Sequence, residues 1–313
     1  MHLRRQKREL DARTVLAFAA IYIIWGSSFY AIRVAVATMP PFFAAGLRFS
    51  IAGACLCLWS WLRSDPPPRG HQWRNLIVVG AFMFLGTYAG LFWAEKTLPS
   101  GIASLLVATI PVWTLLLEVF VFKLAALHIR TVLAVLAGLV GVLLIALNET
   151  ETAGAVSTFA CLAILASEIS WAFATVLSKR VSLPSTPIAT AGWQMLFGGL
   201  MLLLCSSLAR EMRPPPHIAR EAIIATVYLI VAASVLSFTA YIWLLARMSP
   251  TKVASYAYVN PVIALALGWW LGKESITVPT LLGAGCILAS VSFIIFAKAG
   301  EPKSALEESG VRN

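Results

Sequence analysis

Apolar stretches of about 20 residues follow one another along almost the whole chain, and this recurrence limits the possible folds more than any other feature. A helix of about 20 residues crosses the hydrocarbon core of a bilayer and satisfies its own backbone hydrogen bonds there. With 59% hydrophobic and only 12% charged residues, a soluble chain of 313 residues could not cover its apolar surface. We therefore predict an all-α integral membrane protein with ten transmembrane helices. The predicted spans are 15–36, 42–62, 76–97, 101–122, 130–147, 156–178, 186–209, 221–246, 251–271 and 279–297.

Basic residues flank these spans and account for the net charge of +10. Ten spans place both termini on one side of the membrane, and the positive-inside rule puts that side in the cytoplasm. This distribution explains the charge without nucleic-acid binding. The basic residues placed inside are Arg4, Arg5, Lys7, Arg8, Arg13, Arg63, Arg69, Arg74, Lys123, Arg130, Lys179, Arg180, Arg247, Lys252, Lys298 and Lys303. The loop with Arg210, Arg213 and Arg220 is the exception, because it falls outside.

The two halves of the chain resemble each other. The segment WGSSFYAIRVAVATMPP in span 1 aligns with WAFATVLSKRVSLPSTP in span 6, which matches Trp25 with Trp171. Spans 4 and 9 both carry a proline in mid-membrane, Pro111 and Pro261. Because five spans per copy is an odd number, the second copy is inverted relative to the first, as in many secondary transporters. The inversion also explains why the outer loop with Arg210, Arg213 and Arg220 is basic. Its counterpart in the first half is a cytoplasmic loop, where basic residues are expected.

Several segments carry a resemblance to a known family. They are WGSSFYAIR, FWAEKTLPSGIASLLVATIPVW and ASYAYVNPVIALALGWWLGKE, together with the duplicated five-span plan. Over about residues 14–298 the chain resembles the drug/metabolite transporter superfamily, in the group with two EamA domains. The GKE after span 9 follows the family pattern, whereas VFKLAAL after span 4 departs from it.

The resemblance implies a ten-helix carrier of the bacterial inner membrane. It implies EamA-like five-helix repeats at 14–147 and 156–298, with cytoplasmic tails at 1–13 and 299–313. It also implies a central cavity lined mainly by spans 1, 3, 4, 6, 8 and 9, with spans 5 and 10 as scaffold.

Pro111 and Pro261 each leave one carbonyl of the preceding turn without its helical donor. Free carbonyls at membrane depth are tolerated where protein or a water-filled cavity meets them. We interpret both prolines as hinges of gate helices; the alternative is a bend needed only for packing. Tyr256 and Asn260 are four residues apart and share a helical face, so we expect both to contact the substrate.

Glu168 is the deepest ionisable residue, near the centre of span 6, and Trp171 continues its face. An acid at this depth is expensive and usually functional. We predict a proton or substrate-amine site at Glu168, with Trp171 as a substrate contact. The alternative is a structural acid that is bonded to a neighbouring serine or to the backbone.

Other charged residues lie nearer the membrane surfaces. We expect Arg33 and Arg48 to pair with Glu95 toward the outer side, which is a cheap way to keep charges in a membrane. Glu95 is then either part of a structural ion pair or a substrate contact. We interpret Glu118, toward the inner end of span 4 and near Lys179, as structural.

Three aromatic side chains complete the predicted substrate site. They are Trp25 on span 1, Tyr88 on span 3 and Tyr241 on span 8. Aromatic faces of membrane helices usually serve packing or the interface. These three are selected because they lie on spans that the resemblance assigns to the cavity.

These features predict a secondary transporter that exports a small metabolite, amino-acid-like, or a drug across the cytoplasmic membrane by alternating access. The chain has no GxxxxGK[ST] loop for ATP, so protons are the expected coupling ion, unless the carrier is a facilitator or an exchanger. A membrane-embedded lipid or acyl transferase is the alternative from another class. It is disfavoured because all four histidines lie in loops or termini and no HExxH or paired-Asp motif exists. We expect no catalytic residue, metal or cofactor; the expected partners are a small molecule and the lipid bilayer.

Overall fold

The computed structural model describes residues 12–98, 100–149, 157–212, 217–272 and 278–296, and every regular element in these ranges is helical. The first half contains α1 (Ala12–Val36), α2 (Pro41–Leu62), α3 (His71–Ala94), α4 (in three pieces, Ser100–Val107, Ile110–Leu116 and Leu117–Val121) and α5 (Ile129–Glu149). The second half contains α6 (Thr158–Leu177), α7 (Pro187–Leu208), α8 (Arg220–Leu245), α9 (Tyr256–Gly272, preceded by the short helix Pro250–Val253) and α10 (Val278–Phe296). These ten helices follow the ten predicted spans and confirm the predicted all-α membrane fold.

Part of the predicted topology concerns residues that the structure does not describe. Seven described helices, α1 to α4 and α6 to α8, are long and apolar enough by composition to cross a bilayer. Shorter apolar segments, Ile129–Gly141 and Leu281–Ser290, lie within α5 and α10. The predicted charge positions Arg4, Arg5, Lys7, Arg8, Arg213, Lys273, Glu274, Lys298 and Lys303 lie outside the described residues.

The helices contact one another in reciprocal pairs. Helix α1 packs against α8 and α9, and its counterpart α6 packs against α3 and α4. Helix α2 contacts α8, and its counterpart α7 contacts α3. The remaining large contacts join counterparts directly, α2 with α7 and α5 with α10. Such reciprocity is the signature of a two-fold arrangement. Because each half has five helices, the two halves run through the membrane in opposite directions.

Helices α2 and α7 cross at glycines that occupy matching positions of the repeat, Gly46 and Gly53 in α2 and Gly192 and Gly199 in α7. A Cβ atom added at Gly53 would lie 2.4 Å from the backbone nitrogen of Leu196, and one at Gly199 would lie 2.4 Å from that of Ser50. The two backbones are therefore in direct contact, as small residues allow in membrane helix pairs. We call these four residues the glycine crossing.

The two mid-membrane prolines have different helical surroundings. Pro111 lies in the first turn of the piece Ile110–Leu116, directly after a break at Ala108 and Thr109. Pro261 lies inside α9, and the chain breaks six residues earlier, at Ala254 and Ser255. The Ser255 hydroxyl donates to the Lys252 carbonyl at 2.7 Å, which helps to end the short helix there. The interruption of the ninth span therefore lies earlier than the sequence led us to expect.

We expect Gly199→Val to lower the thermal unfolding temperature of the purified protein, because the new side chain meets the backbone of α2. Overpacking of this kind costs about 1–3 kcal/mol or more. The matched control is Gly285→Ala on α10, where an added Cβ has open space around it and the helix propensity improves. An unfolding temperature for Gly199→Val equal to that of Gly285→Ala would contradict the direct backbone contact.

Candidate functional site

A cavity of about 420 Å³, counting all space not filled by atoms, lies between the two halves. Helices α1, α3 and α4 of one half and α6 and α9 of the other contribute to its walls. Its lining residues are Trp25, Ser28, Phe29, Ile32, Thr87, Tyr88, Leu91, Val107, Ile110, Glu168, Trp171, Tyr256 and Asn260.

Six of the eight predicted substrate residues line this cavity: Trp25, Tyr88, Glu168, Trp171, Tyr256 and Asn260. The other two, Glu95 and Tyr241, do not. The lining residues that the sequence did not indicate are mostly apolar. On sequence alone, nothing separates them from residues that only pack.

Aromatic rings form most of the wall. The Trp25 ring centroid lies 4.7 Å from that of Tyr256 and 5.7 Å from that of Trp171. Tyr88 stands 6.1 Å from Trp171 on the other side. Tyr241 packs behind the wall, with ring centroids 5.3 Å from Trp25 and 5.4 Å from Trp171. Tyr241 therefore supports the tryptophans from behind.

Besides the piece Leu117–Val121 of α4, which is also π-helical, two π-helical segments, one in each half, shape the helices around the cavity. They are Ala81–Gly86 in α3 and Leu229–Leu236 in α8, at corresponding places of the repeat. A π turn changes the backbone hydrogen bonding and is frequent at functional sites. The Phe82 carbonyl accepts from Ser170 of α6 at 2.7 Å, and the Ala233 carbonyl accepts from the Trp25 indole of α1 at 2.9 Å. The sequence carried no signal for either segment.

Glu168 is 1% exposed and lines the cavity. Among the residues that the structure describes, its carboxylate has no hydrogen-bond or ion-pair partner. The alternative in which Glu168 is bonded to a neighbouring serine is not what the structure shows. Asn260 is also 1% exposed, and its side-chain oxygen likewise lacks a partner within the described ranges.

The expected ion pair between Glu95 and the arginines is not formed. Glu95 lies one turn beyond Leu91, is 2% exposed, and neither carboxylate oxygen has a hydrogen-bond partner in the described part of the chain. Arg33 and Arg48 act on it only at longer range. The Arg48 guanidinium is directed elsewhere: its Nε donates to Ser234 at 2.8 Å, it lies over the Phe49 and Tyr88 rings, and its Nη1 has no hydrogen-bond partner among the described residues. These contacts hold it away from Glu95.

One end of the cavity is closed by hydrogen bonds. The Glu118 carboxylate accepts from the Thr251 hydroxyl at 2.6 Å and from the Thr251 amide at 3.2 Å. The Tyr22 and Ser255 hydroxyls are 2.9 Å apart. Both contacts join one half to the other. They lie toward the end where α1 begins, which we call the closed end.

Glu118 therefore has a well-defined structural role in the present state, as expected for it. Lys179 is within electrostatic range of Glu118, also as expected. Partial burial lowers the pKa of the Lys179 ammonium, and the Glu118 carboxylate opposes that shift.

The sequence matches the profile of the EamA-like transporter family twice, at residues 12–147 and 158–296. The chain belongs to this family. It is 33% identical to the "Uncharacterized inner membrane transporter YedA" of Escherichia coli K12 over 286 residues, which cover 90% of each chain. It is 25% identical to the "Uncharacterized transporter YoaV" of Bacillus subtilis over 89% of this chain and 95% of that protein. It is 27% identical to "Protein PecM" of Dickeya dadantii over 87% of this chain and 88% of that protein.

A solved crystal structure has the same fold, with a TM-score of 0.70 and 20% sequence identity, covering 91% of this chain and 97% of that chain. Membership of the EamA-like family makes the chain a membrane transporter of a small molecule and not an enzyme. The membrane-embedded transferase considered from the sequence is thereby set aside.

We expect Thr251→Val to loosen the closed end, because Glu118 loses its shorter hydrogen bond, whereas Thr251→Ser keeps a hydroxyl there. The measurement is the rate at which a cysteine at buried Val253 reacts with a membrane-impermeant maleimide, with the five native cysteines replaced. Thr251→Val should react faster than Thr251→Ser. Equal rates would show that the Glu118 contact does not hold this end shut.

Proposed function

We propose that this protein is a secondary transporter that exports a small metabolite, amino-acid-like, or a drug across the bacterial cytoplasmic membrane by alternating access. The observation that carries the proposal is the cavity between two inverted halves, closed at one end by hydrogen bonds between those halves. Inverted repeats can exchange conformations, so that the other end closes as the first opens. The inner-membrane location of the relative YedA supports the membrane assigned here.

The proposed repeat units are 14–147 and 156–298, and the proposed position of both tails, 1–13 and 299–313, is the cytoplasm. The basic residues around the closed end, among them Lys179 and Arg247, support this orientation. The present state is then closed toward the cytoplasm. A phosphatase fused after Asn313 should stay inactive in a bacterial host, and periplasmic activity of that fusion would reverse the orientation.

Transport itself is tested by a two-step experiment. The purified protein is first screened against a panel of metabolites and drugs for compounds that raise its unfolding temperature, since a ligand of the folded state stabilises it. Compounds that do so are then measured in proteoliposomes for exchange between an outer labelled pool and an inner unlabelled pool. Exchange above that of protein-free liposomes supports the proposal. Stabilising compounds that never cross would instead indicate a receptor.

We further propose that Glu168 carries the coupling proton. It is the one ionisable acid among the described lining residues and has no partner among them. An isolated carboxylate in a membrane is expensive as an ion, so a proton or a cationic ligand resolves its charge. Under this proposal, replacing the acid at this position would abolish the coupling of transport to the proton gradient. The cavity walls would keep their structure.

We expect Glu168→Gln to insert and fold but to lose gradient-driven accumulation of solute, because an amide cannot cycle a proton. The measurement is uptake against a concentration gradient with an imposed pH difference. Glu168→Asp, which keeps the acid, is the control and should retain part of the uptake. Uphill transport by well-expressed Glu168→Gln at the wild-type level would reject the coupling role and favour a facilitator or another coupling group.

The two prolines are proposed hinges of opposite gates. In the present state the fourth span breaks at Ala108 and Thr109, two residues before Pro111, and the ninth span breaks at Ala254 and Ser255, six residues before Pro261, so that α9 continues through its proline. The inverted repeat suggests that these conformations exchange when the transporter changes state. A proline inside a helix removes one hydrogen bond and favours a bend, so each proline would ease the bent form of its own helix.

We expect Pro261→Ala to favour the present state and Pro111→Ala to favour the opposite one, with insertion intact in both because alanine is the better helix former. A bias of about 1.4 kcal/mol changes the ratio of the two states tenfold and slows turnover. The measurement is cysteine accessibility from each side of the membrane alongside exchange rates. Unchanged accessibility and turnover in both variants would leave the prolines as packing residues.

A further inference from the structure

The described lining of the cavity contains one charged side chain, the carboxylate of Glu168, and no basic side chain. The side-chain oxygen of Asn260 adds a second acceptor without a partner in the described ranges. Both groups belong to residues that are 1% exposed. Buried acceptors in proteins usually have a hydrogen-bond donor. These two oxygens are therefore suited to a ligand that supplies hydrogen-bond donors.

The two aliphatic hydroxyl groups of the lining, those of Ser28 and Thr87, donate to backbone carbonyls and keep their oxygens as acceptors. Ser28 donates its proton to the Trp25 carbonyl at 2.8 Å. Thr87 lies 3.2 Å from the carbonyls of both Phe82 and Ser167 and donates there. The indole N–H of Trp25 is likewise engaged, by the Ala233 carbonyl. These three donors are thus committed to backbone carbonyls, and the hydroxyls of Tyr88 and Tyr256 are the other hydroxyl donors of the described lining.

The aromatic wall adds a second attraction for positive charge. Four of the lining side chains, Trp25, Tyr88, Trp171 and Tyr256, are aromatic, and Tyr88 and Tyr256 both lie within electrostatic range of Glu168. Faces of tryptophan and tyrosine attract ammonium groups. The same rings also provide an apolar surface for the rest of the ligand.

A ligand carboxylate would have no such complement. The nearest buried guanidinium, that of Arg48, lies behind the Tyr88 ring at 5.4 Å from its centroid and does not line the cavity. Its Nε is bound to Ser234, and Glu95 acts on its charge at longer range. A zwitterion in the cavity would therefore meet no positive charge in the described lining, and its carboxylate would find only neutral donors such as the Tyr88 and Tyr256 hydroxyls.

We propose that the cavity selects a small organic cation with an apolar or aromatic body, such as an arylalkylamine, and discriminates against the corresponding α-amino acid. The ammonium group lies between the Glu168 carboxylate and the Asn260 oxygen, and the body lies against Trp25 and Trp171. This inference rests on the proposed transport function and narrows its substrate class. Arg48 has no part in binding the cation.

The test is isothermal titration calorimetry of the full chain in detergent with three matched probes: 2-phenylethylamine, phenylalanine and 3-phenylpropionate. We expect the amine to bind at least tenfold more tightly than either carboxylate-bearing probe. Glu168→Gln should remove most of this preference, and Asn260→Ala should weaken the amine severalfold. Arg48→Gln is the matched control, because position 194 of the second repeat, its counterpart, is glutamine; it should leave amine binding unchanged.

Tighter binding of phenylalanine or phenylpropionate than of the amine, or loss of amine binding in Arg48→Gln with an unchanged unfolding temperature, would overturn the inference. So would the absence of binding by all three probes to folded protein. The exchange experiment on stabilising compounds remains separate from these outcomes. If the exchange experiment detects transport of acids or neutral solutes while the amine fails to bind, the proposed transport function is supported and the proposed substrate class is wrong.

Discussion

The glycine crossing of α2 and α7 brings the backbones of the two halves into direct contact. A lipid environment gives helices no hydrophobic reason to associate, so close backbone packing has to supply much of the attraction. The crossing sets the distance between the two halves, since a Cβ at Gly53 or Gly199 would overlap the opposite backbone. Helix α2 then packs against the π-helical segment of α8, and α7 against that of α3. Gly198 of α7 makes the second contact possible, because a Cβ there would lie 2.3 Å from the Cβ of Phe84.

These contacts place the cavity walls around the carboxylate of Glu168, on which the proposed selectivity rests. On insertion scales a charged residue at the centre of a membrane helix costs about 2.5–3.5 kcal/mol, whereas one cation–π contact contributes about 0.5–2 kcal/mol. Ring faces attract cations and do not stabilise a carboxylate, so the compensation of an ionised Glu168 has to come from a ligand cation, which the rings attract as well. The closed end shows the opposite arrangement, because there Glu118 is bonded to Thr251. One acid thus holds the halves together while the other is left available in the cavity.

The sequence predicted most of the fold because apolar length, charge placement and internal repetition are properties of the chain itself. It also selected six of the lining residues, because polar and aromatic residues at membrane depth are rare enough to stand out. Glu95 and Tyr241 were chosen on the same grounds but lie outside the lining. Whether a side chain at that depth faces the cavity or the next layer depends on helix rotation. The π-helical segments set that rotation in α3 and α8, and their sequences are ordinary apolar runs.

The break before α9 shows the same limit. Proline is a visible helix breaker, so the sequence pointed to Pro261, yet the interruption lies at Ala254 and Ser255. Two contacts of Ser255 accompany this break. Its hydroxyl donates to the Lys252 carbonyl, and the same hydroxyl contacts that of Tyr22 in the other half. Such contacts belong to one conformational state, and a pattern in the sequence does not say which state will be seen.

In the proposed transport cycle the two halves exchange conformations around the cavity. Two distances correspond to each other in the repeat. One joins Arg13 and Leu183 at the closed end, and the other joins Phe159 and Ala37, which are their equivalents, at the opposite end. Spin labels at these pairs, with the five native cysteines replaced, report both ends by electron–electron distance measurement in lipid nanodiscs. If the two ends open and close alternately, a transported solute changes the two distances in opposite directions. Distances that stay constant, or that lengthen together, in a protein that still transports would contradict this cycle.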